Sequence, residues 1–544
     1  MTSRHQSPSP LFSRLAACVL LLAAGPLRAQ AQQSSPTTAA TPPPDVKRVT
    51  VVPDSVKEEL REELTRDVLE EAKRQNFAAP NQYPAWMTRF SFNGDVRARF
   101  ERDLFGKGNA NGGEFPDFNA INGGTGFDVN GVDLTNDRYL NVDQNRTRPR
   151  LRARLGVDVN VASGFTSGIR IASGDGSTPV STNQTLGGAP GNFSKYQIWL
   201  DRAWIRWQPI QEPGGSLYFE VGRFENPFFT ITDFIWDEDV NFDGLAGGGS
   251  FALGDFRPFI IAGAFPVFTT AFAFAPEQTA KFPSLNKWLY AGQVGADWKI
   301  SDFLFLKFGG AFYYFWRTEG RVGGPCDTHI KGASCDSDES RPSFAQKGNT
   351  YMAIRTPSDA ALAAEAANPL TPRYQYFGLS SHFRELVGTV RLDVDIAEPL
   401  RVTLEGEFVR NLGFKPSEIA ENALNNRGAC ILDPGAVQPA DCGKYVGGRN
   451  GYEGKVTVGS PTQRKQLDWA VSGTYRYLES DAVVDAFADS DFGLGGTNLK
   501  GYIISGTLFV ATNVSLRARW FSANSIVGPT YRADVFQLDL TARF

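Results

Sequence analysis

Long apolar runs are almost absent from the sequence. The mean hydropathy is −0.27, and beyond the first 31 residues the run most like a membrane-spanning helix is 258–276, about 20 residues long. Pro266 lies in the middle of this run and Gly263 is close to it. We therefore expect two apolar strands that meet near Pro266, and the composition argues against a protein that crosses a membrane with helices.

Basic charge is not in excess either. The chain has 55 Lys and Arg against 59 Asp and Glu, a formal net charge of −4. A protein that binds the phosphates of nucleic acid normally presents a basic excess. The sequence therefore predicts no nucleic-acid partner.

Histidine is equally scarce, with 3 residues in the whole chain. A hydrolytic enzyme needs a nucleophile beside a base. His382 directly follows Ser381, so on a strand their side chains would point to opposite faces, and no G-x-S-x-G motif surrounds them. The sequence predicts no enzyme activity and no cofactor.

The first 31 residues have the pattern of a secretory signal. Arg4 and Arg14 accompany the apolar core LAACVLLLAAG, and AQA at 29–31 is a small-x-small cleavage site, so we expect cleavage after Ala31. A lipoprotein signal ending at Cys18 is the alternative, but most of the apolar core follows that cysteine. We therefore expect an exported chain.

Four cysteines follow this signal: Cys326, Cys335, Cys430 and Cys442. An even number in an oxidising compartment predicts disulfide bonds, and three connectivities are possible. The local pairs 326–335 and 430–442 are favoured, because each closes a short loop inside one polar insert. A zinc site that uses His329 fits no standard ligand spacing, so we predict no metal site.

Two segments separate the signal from the rest of the chain. Residues 32–53 are polar and proline-rich, which is typical of a linker. Residues 54–76 are strongly charged, with a narrow apolar stripe from Val56 to Ala72, and predict an amphipathic helix that would lie in the periplasm. The stripe fits a helix packed on its own protein or a short coiled coil between protomers, and the sequence leaves both open.

Glycine and aromatic residues are abundant, with 55 Gly, 41 Phe and 10 Trp. From Phe90 onward, apolar and polar residues alternate in segments of strand length, as in 146–161 and 532–544. About sixteen such segments are predicted, and their starts lie near residues 90, 146, 165, 197, 216, 256, 267, 287, 303, 385, 400, 465, 481, 498, 514 and 532.

The connections between these segments alternate in length. Short ones lie at 162–164, 212–216, 301–302, 398–399 and 512–513, and long polar ones at 103–145, 174–196, 226–255, 318–384 and 413–464. Tight turns at one end and long loops at the other are typical of outer-membrane barrels. Lipid cannot satisfy an open strand edge, so a sheet in lipid must close on itself. The sequence therefore predicts an all-β transmembrane barrel of about 16 antiparallel strands over residues 88–544, surrounded by outer-membrane lipid.

The last segment ends on Phe544, and its apolar face would contact lipid. A final strand that ends in phenylalanine resembles the C-terminal signature by which bacterial outer-membrane proteins are recognised for assembly. The resemblance implies that Phe544 is an assembly signal and that the barrel assembly machinery is a partner.

Three motifs extend the resemblance to a family: AAPNQYPAW at 78–86, GRFENPF at 222–228 and WDEDVNFDG at 236–244. With them the chain resembles the bacterial outer-membrane family called Putative porin, over the charged helix and most of the remaining residues. The resemblance implies a trimeric β-barrel pore. We therefore expect passive diffusion of small hydrophilic solutes or ions through a water-filled interior, and no substrate follows from the resemblance.

One segment of the predicted barrel carries a row of arginines at every second residue: Arg146, Arg148, Arg150, Arg152 and Arg154. In a strand these side chains share one face. That face cannot contact lipid, because an arginine at the bilayer midplane costs about 2–4 kcal/mol. We expect this arginine ladder, extended by Arg97 and Arg99 on the preceding strand, to line the pore.

Opposite charge is concentrated in the predicted loop 226–255, at Asp233, Asp237, Glu238, Asp239 and Asp243, among several aromatic residues. We predict that this loop folds into the barrel, with its aromatics against one wall and its acids across from the arginines, and narrows the pore. An ordinary external loop is the alternative.

Two further interpretations remain open at this point. Residues 127–137 have spaced acids and glycine as calcium loops do, but they lack the full EF-hand spacing, so a solvated loop is favoured. A structural barrel that acts as an adhesin or an envelope tether is the alternative to a pore.

Overall fold

The structure is a computed structural model that describes residues 86–188, 191–276, 278–430 and 437–544. The predicted signal peptide (1–31), linker (32–53) and charged helix (54–76) lie outside the described residues. None of the helices in the described ranges is long and apolar enough to cross a membrane.

Sixteen long strands form one closed antiparallel barrel. They are β1 Phe90–Phe105, β2 Arg146–Ala162, β3 Phe165–Ser173, β4 Ile198–Glu212, β5 Gly215–Glu225, β6 Asn241–Phe251, β7 Phe256–Phe268, β8 Lys287–Ser301, β9 Leu304–Trp316, β10 Arg384–Ala397, β11 Leu400–Asn411, β12 Asn450–Gly459, β13 Trp469–Leu478, β14 Leu499–Ala511, β15 Val514–Ser525 and β16 Arg532–Arg543. Each strand pairs with its neighbours in sequence, and a two-residue strand, Gln184–Thr185, adds to β2. The predicted fold class and strand number are confirmed.

The barrel closes between its first and last strands. β1 pairs with β16 from Asp95 opposite Arg543 to Phe105 opposite Ala533. The final residue continues this pairing, because Gly94 and Phe544 exchange backbone hydrogen bonds of 3.0 and 3.1 Å. A Cβ at Gly94 would lie 2.7 Å from the Phe544 ring, so glycine is needed for this close approach.

Fourteen of the sixteen predicted strand starts correspond to strands, and those near 267 and 481 are wrong. The strands β6 and β12 were hidden within stretches predicted to be loops, 226–255 and 413–464. β6 reads NFDGLAGGGSF, whose glycines obscure the alternation. These glycines allow close packing, since a Cβ at Gly248 would lie 2.7 Å from the ring of Tyr218. The strand number agreed because two missed strands replaced two wrong ones.

The prediction of two strands meeting near Pro266 is wrong, because Pro266 lies inside β7. The pairing of β7 with β6 ends at Ala264, and the pairing with β8 is irregular between Lys287 and Trp288. Proline is tolerated where a strand has one neighbour or a bulge. The apolar residues after β7 belong to the connection to β8.

The predicted strand near 481 is wrong for a different reason. Residues 479–498, named here the acidic loop, fold into the barrel, where Ala482, Val483 and Val484 are all almost fully buried. Their apolar side chains therefore pack against the interior from several sides and do not alternate between lipid and water.

Connections at the two ends of the barrel differ as predicted. Tight turns join β2–β3, β4–β5, β8–β9, β10–β11 and β14–β15, and long loops join the opposite ends. The loops contain the helices α1 Phe118–Gly123, α2 Asp359–Ala367 and α3 Pro416–Asn422, and the short strands Phe127–Asp128, Pro325–Cys326, Tyr351–Ala353, Thr356–Pro357, Tyr374–Gln375 and Phe377–Leu379. They also contain single-turn 3-10 helices at Gly112–Glu114, Leu134–Asn136, Asp338–Ser340, Asp485–Phe487 and Phe492–Leu494, and another, Met87–Arg89, precedes β1.

The predicted disulfides are present in these loops. Cys326 bonds to Cys335 and Cys430 bonds to Cys442. The two local pairs are thus confirmed. No group of acids, histidines or cysteines in the described residues could hold a metal ion.

The outer surface of the barrel is apolar along the strands. Phe92, Val294 and Ile504 are each more than half exposed, and the final strand exposes Leu538 and Leu540. The polar side chains that alternate with them along the same strands point to the inner face, where they are buried. This alternation suits a surface that contacts lipid on the outside and polar groups on the inside.

Candidate functional site

The five arginines of the predicted ladder lie on one face of β2. Arg152 is buried, and Arg148, Arg150 and Arg154 are partly buried, while Arg146 at the loop end of the strand is exposed. On the neighbouring strand β1, Arg97 and Arg99 are 4% and 3% exposed. The register places Arg97 opposite Arg152, so the two rows of arginine form one basic wall.

The part of this wall nearer the long loops, at Arg148 and Arg150, is neutralised by acids of β1 that the sequence pattern did not single out. Arg148 donates to Glu101 at 2.6 Å and lies 3.3 Å from Asp103. Arg150 lies 3.4 Å from the same Glu101. A ladder of like charges is stable here because carboxylates on the adjacent strand alternate with it.

The part of the wall nearer the tight turns, at Arg97, Arg152 and Arg154, pairs with the loop that follows β5. Glu238 accepts hydrogen bonds from Arg97 at 3.4 Å and from Arg152 at 3.0 Å. Asp239 accepts from Arg154 at 3.3 Å, and Arg152 also donates to Asp95 on β1 at 2.9 Å. Glu238 and Asp239 are therefore in direct contact with the predicted arginines, whereas the sequence predicts the acids and the arginines on opposite walls of the pore.

Residues 226–240, named here the crossing loop, reach across the barrel interior. The loop leaves β5, and the backbone of Phe229 exchanges hydrogen bonds of 2.7 and 2.9 Å with Gln293 on β8. Thr232 then donates to Glu407 on β11 at 3.5 Å. Glu238 next reaches the basic wall on β1 and β2 before the chain returns to β6. One loop thus contacts strands on separate sides of the barrel, at β8, at β11 and at β1 and β2.

Aromatic residues hold one side of the crossing loop against the barrel. Phe228 packs edge-on against Tyr313 of β9, with ring centroids 5.3 Å apart. Trp236 packs against the same tyrosine at 5.3 Å and against Phe242 of β6 at 4.8 Å. These rings belong to a buried apolar core that fills the interior beside β5 to β13. The apolar side fixes the loop and leaves its acids directed at the arginines.

The five predicted acids have different positions. Asp237 and Asp239 are buried, and Asp237 accepts hydrogen bonds from the backbone of Asp239 and Ser490, so its role in the structure is to join two loops. Glu238 and Asp243 are the exposed members, with 46% and 53% of their side chains accessible. Asp243 lies on β6, where it pairs with Arg223 at 2.9 Å. Asp233 makes no ion pair with any described residue.

The electrostatic state of Glu238 follows from its neighbours. Burial alone would raise the pKa of this carboxyl, but Arg152 and Arg97 outweigh that effect and hold the pKa well below its usual value. Glu238 is therefore ionised at neutral pH and neutralises part of the basic wall.

Sequence reasoning missed the acidic loop as part of the site. Its Asp491 lies 3.3 Å from Arg99 of β1 and 3.1 Å from Arg519 of β15. Its Asp489 pairs with Arg476 of β13 at 2.6 Å. The sequence predicts a strand that starts near 481, so the spacing of these aspartates does not indicate a loop that pairs with arginines inside the barrel.

Residues 20–544 match the family model described as Putative porin. Among solved structures, the outer membrane channel DcaP of Acinetobacter baumannii is 9% identical, with 84% of this chain and 97% of that chain covered and a TM-score of 0.37. OprB of Pseudomonas putida, in its high-pH structure, is 11% identical, with 84% and 95% covered and a TM-score of 0.41. A mutant of the Rh. blastica porin is 9% identical, with 84% and 100% covered and a TM-score of 0.31. No curated protein matches the chain.

Proposed function

Because the chain belongs to the family described as Putative porin, we propose that it forms a water-filled passage through the outer membrane for small hydrophilic solutes or ions. Passage is passive diffusion, and its narrowest part lies beside Glu238, where the crossing loop meets the basic wall. The observation that carries the proposal is the course of the crossing loop, whose apolar side is packed and whose charged side meets the arginines.

The two sides of the crossing loop differ in what they offer a hydrated solute. Beside β5 to β13 the interior is a dense apolar core, in which Phe224 and Phe234 are completely buried. Beside β1, β2 and β15 the contacts are ion pairs, and on the crossing loop their exposed member is Glu238. A hydrophilic solute therefore passes along the charged side, where it meets Glu238 first, with Arg97 and Arg152 directly behind it.

The net charge of the basic wall and its partners sets our expectation for ion selectivity. Most of the basic wall is paired with Glu101, Asp103, Glu238 and Asp239, so little net charge remains to repel cations. Walls of charge set selectivity through their unbalanced part. We expect weak selectivity, with a small preference for anions.

The experiment that tests this function is conductance of the refolded mature chain in a planar bilayer under a salt gradient. Stepwise openings with a small reversal potential are expected. A correctly folded, heat-modifiable barrel that gives no openings would contradict the proposal. The apolar core inside the barrel would then favour the second candidate, a closed barrel that serves as an adhesin or an envelope tether.

We also propose that the chain assembles as a homotrimer, with the segment 54–76 in the periplasm as a coiled coil between protomers. The charged amphipathic pattern of that segment and the family resemblance support this assembly. Light scattering of the full mature chain is expected to give three protomers, and deletion of 54–76 is expected to lower that number. A monomeric full chain would refute the trimer, and a deletion variant that stays trimeric would refute the coiled coil alone.

We propose Phe544 as the signal that the barrel assembly machinery recognises. Its ring is 62% exposed, so it contributes little to the packing of the finished barrel. Phe544→Ala is therefore expected to reduce the amount of barrel assembled in cells strongly, with little effect on unfolding of the purified protein. Leu540→Ala, on the same face of β16 and 49% exposed, is the matched control and should assemble normally. Equal assembly of both variants would show that Phe544 is not the signal.

A further inference from the structure

One cavity of about 270 Å³ lies between the crossing loop and the inner face of β12 to β15. It is smaller than the pockets of roughly 300–1,000 Å³ that hold drug-sized ligands. Its neutral polar lining includes the side chains of Thr457, Ser472 and Ser505, and the hydroxyl of Thr457 is buried without a hydrogen-bond partner among the described residues. The cavity therefore suits a small, polar solute.

Eight charged side chains line this cavity, four acidic and four basic: Asp233, Glu238, Glu453, Asp489, Lys455, Arg476, Arg517 and Arg519. Six of them are paired. Glu238 pairs with the basic wall, Arg476 with Glu453 and Asp489, Lys455 with Glu405, and Arg519 with Asp491.

The two remaining side chains have opposite signs and lie on different elements. Asp233 belongs to the crossing loop and Arg517 to β15. Within the part of the chain that the structure describes, neither makes an ion pair or a side-chain hydrogen bond. Their charged groups are also too far apart to pair with each other. The cavity thus presents one free carboxylate position and one free guanidinium.

This arrangement discriminates between classes of solute. A guanidinium binds a carboxylate with two parallel hydrogen bonds, and a carboxylate binds an ammonium. A simple anion would satisfy Arg517 and leave Asp233 unpaired, and a simple cation would do the reverse. Leaving a partly buried charge unpaired is costly, so a molecule that carries both charges gains the most.

We propose that this cavity is a binding site for small zwitterions such as a free α-amino acid, with the carboxylate at Arg517 and the ammonium at Asp233. The proposal rests on the proposed function, since the solute reaches the cavity through the barrel interior. It names the class of solute that the passage selects from among those small enough to enter.

Binding to this site depends on pH through Asp233. Burial raises the pKa of Asp233 to about 8, and the nearby acids Glu238 and Asp489 add to the effect, while Arg519 and Arg476 oppose it. The other charged groups that line the same cavity are Glu453, Lys455 and Arg517. An ammonium binds the ionised form of Asp233, so affinity for a zwitterion rises as the pH increases from about 6 to 8.

Four probes of similar size separate the possibilities: L-alanine is a zwitterion, lactate an anion, alaninamide a cation and lactamide neutral. Each is added to single channels in a planar bilayer at fixed potassium chloride and at pH 8, where about half of Asp233 is ionised, and the concentration that halves the current is measured. Alanine is expected to act at a concentration at least about tenfold lower than the other three, because it makes two charge-assisted contacts.

Variants assign the effect to the two residues. Asp233→Asn and Arg517→Gln are each expected to raise the half-blocking concentration of alanine about tenfold and to remove its advantage over lactate or alaninamide. The controls are Asp297→Asn and Lys307→Gln, which remove one inward charge of each sign from a pair 3.1 Å apart on β8 and β9, outside the cavity. They should keep the preference for alanine.

The outcomes separate this inference from the proposed function. A wild-type chain without openings refutes the passage itself. Openings that all four probes affect equally refute the zwitterion site and leave the passage intact. Variants that change conductance but keep the preference for alanine show that Asp233 and Arg517 supply only an electric field, which also refutes the site. The comparison of probes on the wild-type chain decides the matter even if a variant fails to fold.

Discussion

Replacing Glu238 by glutamine should make the passage clearly more selective for anions. Glu238 is the one acid of the crossing loop that is well exposed, and it neutralises both Arg97 and Arg152. Its removal leaves two guanidiniums facing the narrowest part. A unit charge about 4 Å from a passing ion changes the free energy of the ion by about 1 kcal/mol in water. Loss of the negative charge favours the anion and disfavours the cation by this amount, so the permeability ratio of anion to cation should rise by up to about thirtyfold. Reversal potentials under a salt gradient measure this ratio.

The matched control is Asp239→Asn, one residue further along the same loop. Asp239 is 4% exposed and accepts hydrogen bonds from Arg154 and from the backbone and hydroxyl of Thr182. Its replacement removes the same charge from a site without access to the passage. We expect lower stability and a smaller change in selectivity. If Glu238→Gln leaves the reversal potential unchanged, ions do not pass along the basic wall.

The shared face of the ladder arginines could be predicted from sequence because it depends on local geometry alone. Side chains at every second residue of a strand share a face, and an arginine row cannot face lipid. The same reasoning identified the apolar face of β16 as the face that contacts lipid. Closure of the barrel followed from the requirement that lipid leaves no strand edge unpaired.

The partners of the ladder could not be predicted, because they are distant in sequence. Arg99 meets Asp491 and Asp539, about four hundred positions away, only once the barrel has closed and the acidic loop has entered it. Alternation also fails where side chains are buried on all sides, as at Val483, or where glycine replaces the outward residue, as at Gly247. The errors at 481 and in β6 therefore share a cause. In both segments, the alternation of apolar and polar residues does not match which side chains are buried.

Replacing Arg99 by alanine should destabilise the barrel more than any other single change in the basic wall. The Arg99 side chain is 1% exposed and binds both carboxylate oxygens of Asp539, at 2.7 and 3.0 Å, across the seam where β1 meets β16. It also binds Asp491 at 3.3 Å and so ties the acidic loop to this seam. Removing one member of a buried ion pair leaves a buried charge uncompensated and costs about 3–5 kcal/mol. Denaturant unfolding of the refolded protein in lipid vesicles measures the loss.

Two variants establish that the loss comes from the network. Arg532→Ala removes an arginine from β16 whose partner is Asp534 at 3.2 Å, but 54% of its side chain is exposed, so a loss of at most about 1 kcal/mol is expected. Arg99→Lys keeps the charge and cannot form the two parallel bonds to Asp539, so an intermediate loss is expected. If Arg99→Ala and Arg532→Ala unfold at the same denaturant concentration, the seam is held by its backbone pairing alone. The inward-folded acidic loop would then be free to leave the barrel without cost to closure.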